Sequence, residues 1–217
     1  MKPKVIVVGA DNGGVGKTTV SRAVIDYLDA QGIANRAFDT QNDAIDDTGK
    51  VVGVLKRFYP ERTEIVDLAD LSDQMRVFDA LTAETVTVID IKASMLSPSL
   101  DLLANIGFLD QARFDIDVLH VLGNNQASLS EVVPVARRLA GGARHILVGN
   151  RISGTKFDFP PDAIEIPMLI TGAAEAVDKS NKPFSQFAKT DKSAVLRGMT
   201  RTWLDQVFAQ FAAKKIP

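Results

Sequence analysis

The 217-residue chain has no cysteine, which excludes disulfides and thiolate metal sites. It has only two histidines, His120 and His145, and both stand in apolar strand-like runs. Packed imidazoles are expected there, not catalytic or metal-binding ones. No stretch approaches the roughly 18–20 continuous apolar residues of a membrane span. The first residues run straight into a strand pattern, leaving no space for a secretory leader. A cytoplasmic location is therefore expected. Repeats and low-complexity linkers are also missing. A strong overall charge is lacking too, but the net −2 conceals an asymmetry. Residues 179–217 carry eight Lys/Arg against two acids, Asp191 and Asp205, while the rest carries 17 positive and 25 negative groups. A basic end on an acidic body fits either a solvated helix face or a contact with nucleic acid or membrane.

What is present is ordinary for a globular domain: 46% apolar and 24% charged residues. Apolar β-rich runs alternate with helical patterns, which predicts an α/β fold, a doubly wound, mostly parallel sheet covered by helices on both faces. One domain over residues 1–217 is expected, with seven or eight strands counted from the apolar runs. The expected strands are Lys4–Gly9, Asn35–Phe38, Glu64–Leu68, Thr85–Ile89, Phe114–Leu122, His145–Val148 and Ala163–Ile166. Helices are expected over Lys17–Gln31, Val51–Phe58 and Ser72–Leu81. Two more are expected from a cap at Ser97-Pro98 to about Leu109, and from Ser130 to Leu139. The last, Ser193–Ala213, has Val195, Leu196, Met199, Trp203, Leu204, Val207, Phe208 and Phe211 on one face.

The chain is organised around Val5–Val20, VIVVGADNGGVGKTTV. Four apolar β-formers lead into a glycine-rich loop, then Lys17-Thr18-Thr19 and a helix. Such a strand–loop–helix reads as a phosphate-binding P-loop. Glycines let backbone N–H groups converge on phosphate oxygens, and the helix points its positive end at the same anion. Gly13, Gly14, Val15, Gly16, Lys17, Thr18 and Thr19 are the candidate nucleotide contacts. Lys17 would reach the β- and γ-phosphates, and Thr18 would offer its hydroxyl to Mg²⁺. The general pattern G-x-x-x-x-G-K-[ST] is incomplete, because Asp11 stands at its first glycine. Two acids close apolar strands at the edge where open α/β sheets build their sites, Asp39 and Asp90. Asp90 follows Val86-Thr87-Val88-Ile89, as in a Walker B element, and can hold Mg²⁺ through a water.

Gly13–Thr19, GGVGKTT, resembles the deviant P-loop of the ParA/MinD group of ATPases, partition and positioning proteins that also include nitrogenase iron protein and, more distantly, dethiobiotin synthetase. The group carries a lysine before the paired glycines; this chain has Asn12. The resemblance implies ATP and Mg²⁺ as cofactors and a nucleotide-dependent homodimer. It implies that Asp39 orients or deprotonates the attacking water, so Lys17 and Asp39 become the catalytic candidates and Thr18, Asp39 and Asp90 the metal set. Asp43 matches a second acid found in some relatives and reads more simply as part of an exposed turn. Asp90-Ile91-Lys92-Ala93-Ser94 occupies the second switch without the usual Pro or Gly. Asn150 matches an adenine-reading asparagine, Arg151 follows it, and Pro167-Met168-Leu169 resembles the loop on the other side of the base. In the group the missing lysine reaches across the dimer to the partner's phosphates; with Asn12 in its place, ATP binding with slow hydrolysis is expected.

Three functions follow from the resemblance. The first is a ParA-like switch that grips non-specific DNA or a partner protein, with Lys179, Lys182, Lys189, Lys192, Arg197 and Arg201 as the DNA candidates. The second is MinD-like membrane recruitment through Val207, Phe208, Phe211, Lys214 and Lys215, against which core packing of the same helix is the simpler account. The third is a small-molecule ligase like dethiobiotin synthetase. A nucleotide-locked scaffold that hardly turns over is a further alternative.

Overall fold

Seven parallel strands in the order β3-β2-β4-β1-β5-β6-β7 form the single sheet of the computed structural model. The structure describes residues 2–42, 48–49, 51–107, 110–123, 126–138, 142–151 and 157–217. The strands are β1 Lys4–Gly9, β2 Asn35–Asp39, β3 Thr63–Ile65, β4 Val86–Asp90, β5 Asp115–Leu122, β6 Arg144–Asn150 and β7 Ile164–Ile166. The helices are α1 Lys17–Ala30, α2 Leu71–Asp79, α3 Leu96–Asn105, α4 Gln126–Arg138, α5 Thr171–Ser180, α6 Phe184–Thr190 and α7 Ala194–Ala213.

The period-two geometry of β1 divides the interior. Val5 and Val7 pack with Leu96, Leu100 and Leu103 of α3, whereas Ile6 and Val8 pack with the layer of α1, α6 and α7. Both faces are covered, so the strands read as continuous apolar runs. β1 lies between β4 and β5, with Val8 opposite Asp90 and Gly9 opposite His120. The chain leaves β1 toward β2 and β3, returns at β4, then crosses to β5. The carboxyl end of β1 is thus the point where the strand order reverses, the usual place for a ligand crevice in such sheets.

Several elements differ from expectation. The expected helix over Val51–Phe58 is a chain of turns in which Phe58 N bonds Leu55 O and Tyr59 N bonds Lys56 O. Leu55 and Lys56 give their N–H groups to the Asp39 carboxylate, and Gly53 sits at φ +61°, so helical bonding is diverted. α3 begins at Leu96; Ser97 lies inside its first turn, bonded through N and Oγ to the Asp11 carboxylate. Asp11 therefore caps this helix from the P-loop. α4 starts four residues before Ser130. α5 and α6 leave no clear mark in the sequence pattern. Asp43 lies outside the described residues.

Most of the apolar stripe of α7 faces the interior; Val195, expected on it, is instead 64% exposed at the start of the helix. Trp203, Leu204, Val207 and Phe211 are buried, and Tyr27 of α1 meets Phe208 and Phe211 edge-on at 5.4 and 5.6 Å. This is the core-packing account of the helix. Among the described residues no helix is long and apolar enough to cross a membrane.

Candidate functional site

The loop after β1 turns back through Gly14 and Gly16, at φ +71° and +83°. Gly16 is the N-cap of α1 in the left-handed region, a conformation that glycine adopts without strain. Beyond it lies a cleft of about 230 Å³ lined by Gly14, Gly16, Lys17, Thr18, Thr19, Gln41 and Ala93. Lys17 is 6% exposed, and its Nζ donates to the Asn12 carbonyl at 2.9 Å. The ammonium is thus folded over the loop, beside the N-terminal turn of α1.

Behind this loop sits Asp90, fully buried. Its Oδ2 accepts from Thr18 Oγ1 at 2.8 Å and its Oδ1 from Ser21 Oγ at 2.9 Å. Thr18 and Ser21 stand three residues apart on one face of α1, which lets one carboxylate take both. Asp39 is the strand neighbour of Asp90. Its Oδ2 accepts from Leu55 N at 2.7 Å and Lys56 N at 3.0 Å, and its Oδ1 from Gln41 N at 3.0 Å. Burial and the Asp39 charge push Asp90 up to about 7, against the bonds from Thr18 and Ser21 and the Lys17 charge. Burial raises Asp39 as well, opposed by its three backbone donors. Two adjacent carboxylates strained toward protonation form a setting that a divalent cation would relieve.

The donor set fits Mg²⁺ in a P-loop manner. Among the described residues no three carboxylate or imidazole groups form a cage. Mg²⁺ needs none, since it keeps several waters and takes one or two protein ligands plus phosphate oxygens. Thr18 would bind it directly and Asp90 through water. Among the described residues, Asp39 Oδ1 accepts one bond and Oδ2 two.

On the β6 side, Asn150 is 3% exposed, and its Nδ2 donates to Val15 O at 3.0 Å. Its amide nitrogen thus faces the P-loop. Arg151 pairs with Glu165 and bonds Phe157 O, with its guanidinium 5.1 Å from the Phe159 ring. Pro167 O accepts from Trp203 Nε1 at 2.6 Å, and Met168 is exposed. Asn12 reaches Ser128 of α4, Nδ2 to Oγ at 3.4 Å. In the segment after β4, Ser94 takes φ +64° and its N–H bonds Asp11 O at 2.8 Å, so serine holds a glycine-like conformation there.

The basic candidates spread over the last three helices and their turns. Lys179, Lys189, Lys192 and Arg201 are exposed; Lys182 and Arg197 are half-buried. Arg197 donates to Asp191 O and Arg201 to Ala188 O, so both serve partly as ties to the end of α6.

Sequence reasoning missed Gln41 and Ser21 as site residues. Ser21 was findable from its spacing to Thr18. Gln41 was not, because its contact depends on how the loop after β2 folds back over α1. A larger cleft of about 840 Å³ opens at the opposite end of the sheet. Its Lys4 and Arg144 are paired with Asp117, so they hold the strands together.

No family model matches the chain, and no curated protein matches it in sequence. Solved structures do match in shape. A ParA family ATPase from Chlorobium tepidum TLS superposes with a TM-score of 0.58 at 12% identity, over 95% of this chain and 98% of that one. The fold is that of the ParA and MinD ATPases. A putative plasmid partition protein from Borrelia burgdorferi B31 bound to AMPPNP gives 0.55 at 12% identity, over 98% and 100%. The septum site-determining protein MinD complexed with Mg-ADP from Pyrococcus horikoshii OT3 gives 0.53 at 14% identity, over 92% and 95%. The near-complete mutual coverage means that the ParA/MinD architecture accounts for the chain from β1 to α7.

Proposed function

We propose that this protein is a ParA-type ATP-binding switch of the partition and positioning kind, with Mg²⁺ as cofactor, a nucleotide-dependent homodimer as its working form and slow hydrolysis. The reading is carried by the Gly14–Thr19 turn opening onto a cleft behind which Thr18, Ser21 and Asp90 are already bonded together. AMPPNP and Mg-ADP in proteins of the same fold support a nucleotide in that cleft. The triphosphate would lie on the N–H groups of Gly14–Thr19, with Lys17 moving from Asn12 O to the β- and γ-phosphates. When bound, Mg²⁺ would neutralise charge on those phosphates. Asp39 acts in this reading as a positioning residue, tying the loop at Gln41 to the segment at Leu55 and Lys56. Asn150 braces the P-loop from below and leaves its carbonyl oxygen for the adenine, with Arg151, Pro167 and Met168 as the neighbouring rim.

Asn12 is neutral, and it contacts Ser128 of the same chain. A missing transition-state cation costs on the order of 10³–10⁵ in rate, judged by arginine-finger losses. Binding without rapid turnover follows. Calorimetry tests the reading: ATP with Mg²⁺ should give saturable heat, and Lys17→Ala should abolish it. No heat with the wild-type chain, or heat that survives Lys17→Ala, would overturn the proposal. Asn12→Lys should raise the phosphate-release rate by restoring a cation that can reach across the dimer; an unchanged rate counts against that role.

A further inference from the structure

The Thr18 hydroxyl is fixed from two sides. It donates its hydrogen to Asp90 Oδ2 at 2.8 Å and accepts from Gln41 Nε2 at 2.9 Å. A hydroxyl has one hydrogen and two lone pairs. With the hydrogen and one lone pair committed, a single acceptor direction remains, and among the described residues no other group takes it. Thr18 and Gln41 both line the 230 Å³ cleft. Gln41 is itself held, because its backbone N–H donates to Asp39 Oδ1 at 3.0 Å. Asp39 is anchored in turn by Leu55 and Lys56.

We propose that Gln41 is a positioning residue for the divalent metal, acting through Thr18: its amide clamps the hydroxyl so that the remaining lone pair is presented to the ion. This rests on the P-loop reading above and adds to it a residue outside the glycine loop. The chemistry is that of an outer-shell partner, which orients a ligand without touching the metal. Removing such partners commonly costs 10–100-fold in metal affinity. A glutamine suits the role because its amide donates without adding charge beside Asp39 and Asp90, which burial already pushes upward. Glutamate at this position would accept a hydrogen bond from Thr18 rather than donate one, turning the hydroxyl away from Asp90.

The test separates metal from nucleotide. Mn²⁺ binding to the AMPPNP complex is titrated by electron paramagnetic resonance. AMPPNP binding is measured separately in EDTA. Gln41→Met keeps the side-chain length and removes the donor. Its Mn²⁺ affinity should fall by about 10–100-fold. That loss should exceed any loss of AMPPNP affinity in EDTA by at least about tenfold. Adding Gln41→Met to Thr18→Ala should cost nothing further, since the clamp then has nothing to hold. Unchanged Mn²⁺ affinity, equal losses with and without metal, or additive losses in the double variant would each overturn the proposal. Failure of the wild-type chain to bind AMPPNP in any condition would instead remove the ATP reading itself.

Discussion

At the scale of single residues, the site depends on close backbone approaches that tolerate no side chain. Gly53 is the clearest. A Cβ there would lie 2.6 Å from Asp39 Oδ2 and 3.0 Å from Ile65 Cγ1, at φ +61°. Gly53→Ala should therefore cost the left-handed penalty plus displacement of the Asp39 carboxylate, together on the order of 2–3 kcal/mol. Gly32, at φ +70° with nothing within 4 Å of where a Cβ would stand, is the control. Gly32→Ala should cost only the conformational part, about 1 kcal/mol. Urea midpoints for both variants check the difference; equal losses would mean that the segment at Leu55 gives way freely and that Asp39 does not anchor it. Ser94 shows the opposite case. It holds φ +64° without being glycine, steadied by its N–H on Asp11 O. Ser94→Gly should thus raise or leave unchanged the unfolding free energy, by at most about 1 kcal/mol.

At the scale of elements, the turns at 54–59 join the cleft beside Thr18 to the carboxyl-terminal helices. One end hangs on Asp39. At the other, Phe58 and Phe184 sandwich the Arg22 guanidinium, with ring centres 3.4 and 3.9 Å from Cζ. Tyr59 Oη donates to Arg22 O, and Asp26 accepts from Ser185 N and Oγ of α6. Asp26 is fully buried, and desolvation raises its pKa to about 6, against the bonds from Ser185 and the Arg22 charge. The folded value lies above the ordinary 3.8, so this group's contribution is complete below pH 3.8 and is lost as pH rises through about 6. Asp26→Asn cannot ionise. Relative to wild type, it should gain on the order of 1–3 kcal/mol between pH 4 and pH 7. Urea unfolding at both values measures it; parallel pH profiles would show that Asp26 does not carry the loss. None of this node was legible in the sequence, where 51–58 reads as a helix. The reason is physical: its N–H groups bond a carboxylate sixteen and seventeen residues away. The strands were legible because burial on both faces writes continuous apolar runs, and the P-loop because its glycines and Lys17 are local. α5 and α6 were not, since small and charged residues blur their short patterns. Gln41 and Ser21 matter through contacts made across the fold.

At the scale of the whole molecule, charge separates along the chain while most of the apolar stripe of α7 turns inward. The α5–α7 side offers a partner the exposed Lys179, Lys189, Lys192 and Arg201, alongside exposed Ile170 and Val195. Its members are not equivalent. Arg197 and Arg201 support carbonyls around the end of α6, and Lys182 Nζ reaches Thr190 Oγ1 at 3.3 Å. Reversing those would disturb the helix layer as well as the field. Lys179, Lys189 and Lys192 are exposed, with at most a long surface pairing of Lys179 to Glu175 at 4.0 Å. The triple change Lys179→Glu, Lys189→Glu, Lys192→Glu is therefore the cleaner probe of the DNA contact that the sequence resemblance leads one to expect. Each phosphate contact contributes about 0.9 to the slope of log affinity against log salt. If all three lysines meet phosphates, the slope should shrink by about 2 to 3. Fluorescence anisotropy on a random-sequence duplex, with saturating AMPPNP and Mg²⁺, gives that slope. AMPPNP binding should stay at the wild-type value, because these side chains lie outside the cleft. A slope that does not change would move the DNA contact off this surface, and a wild-type protein that binds no duplex in AMPPNP would leave the cationic face to an acidic protein partner instead.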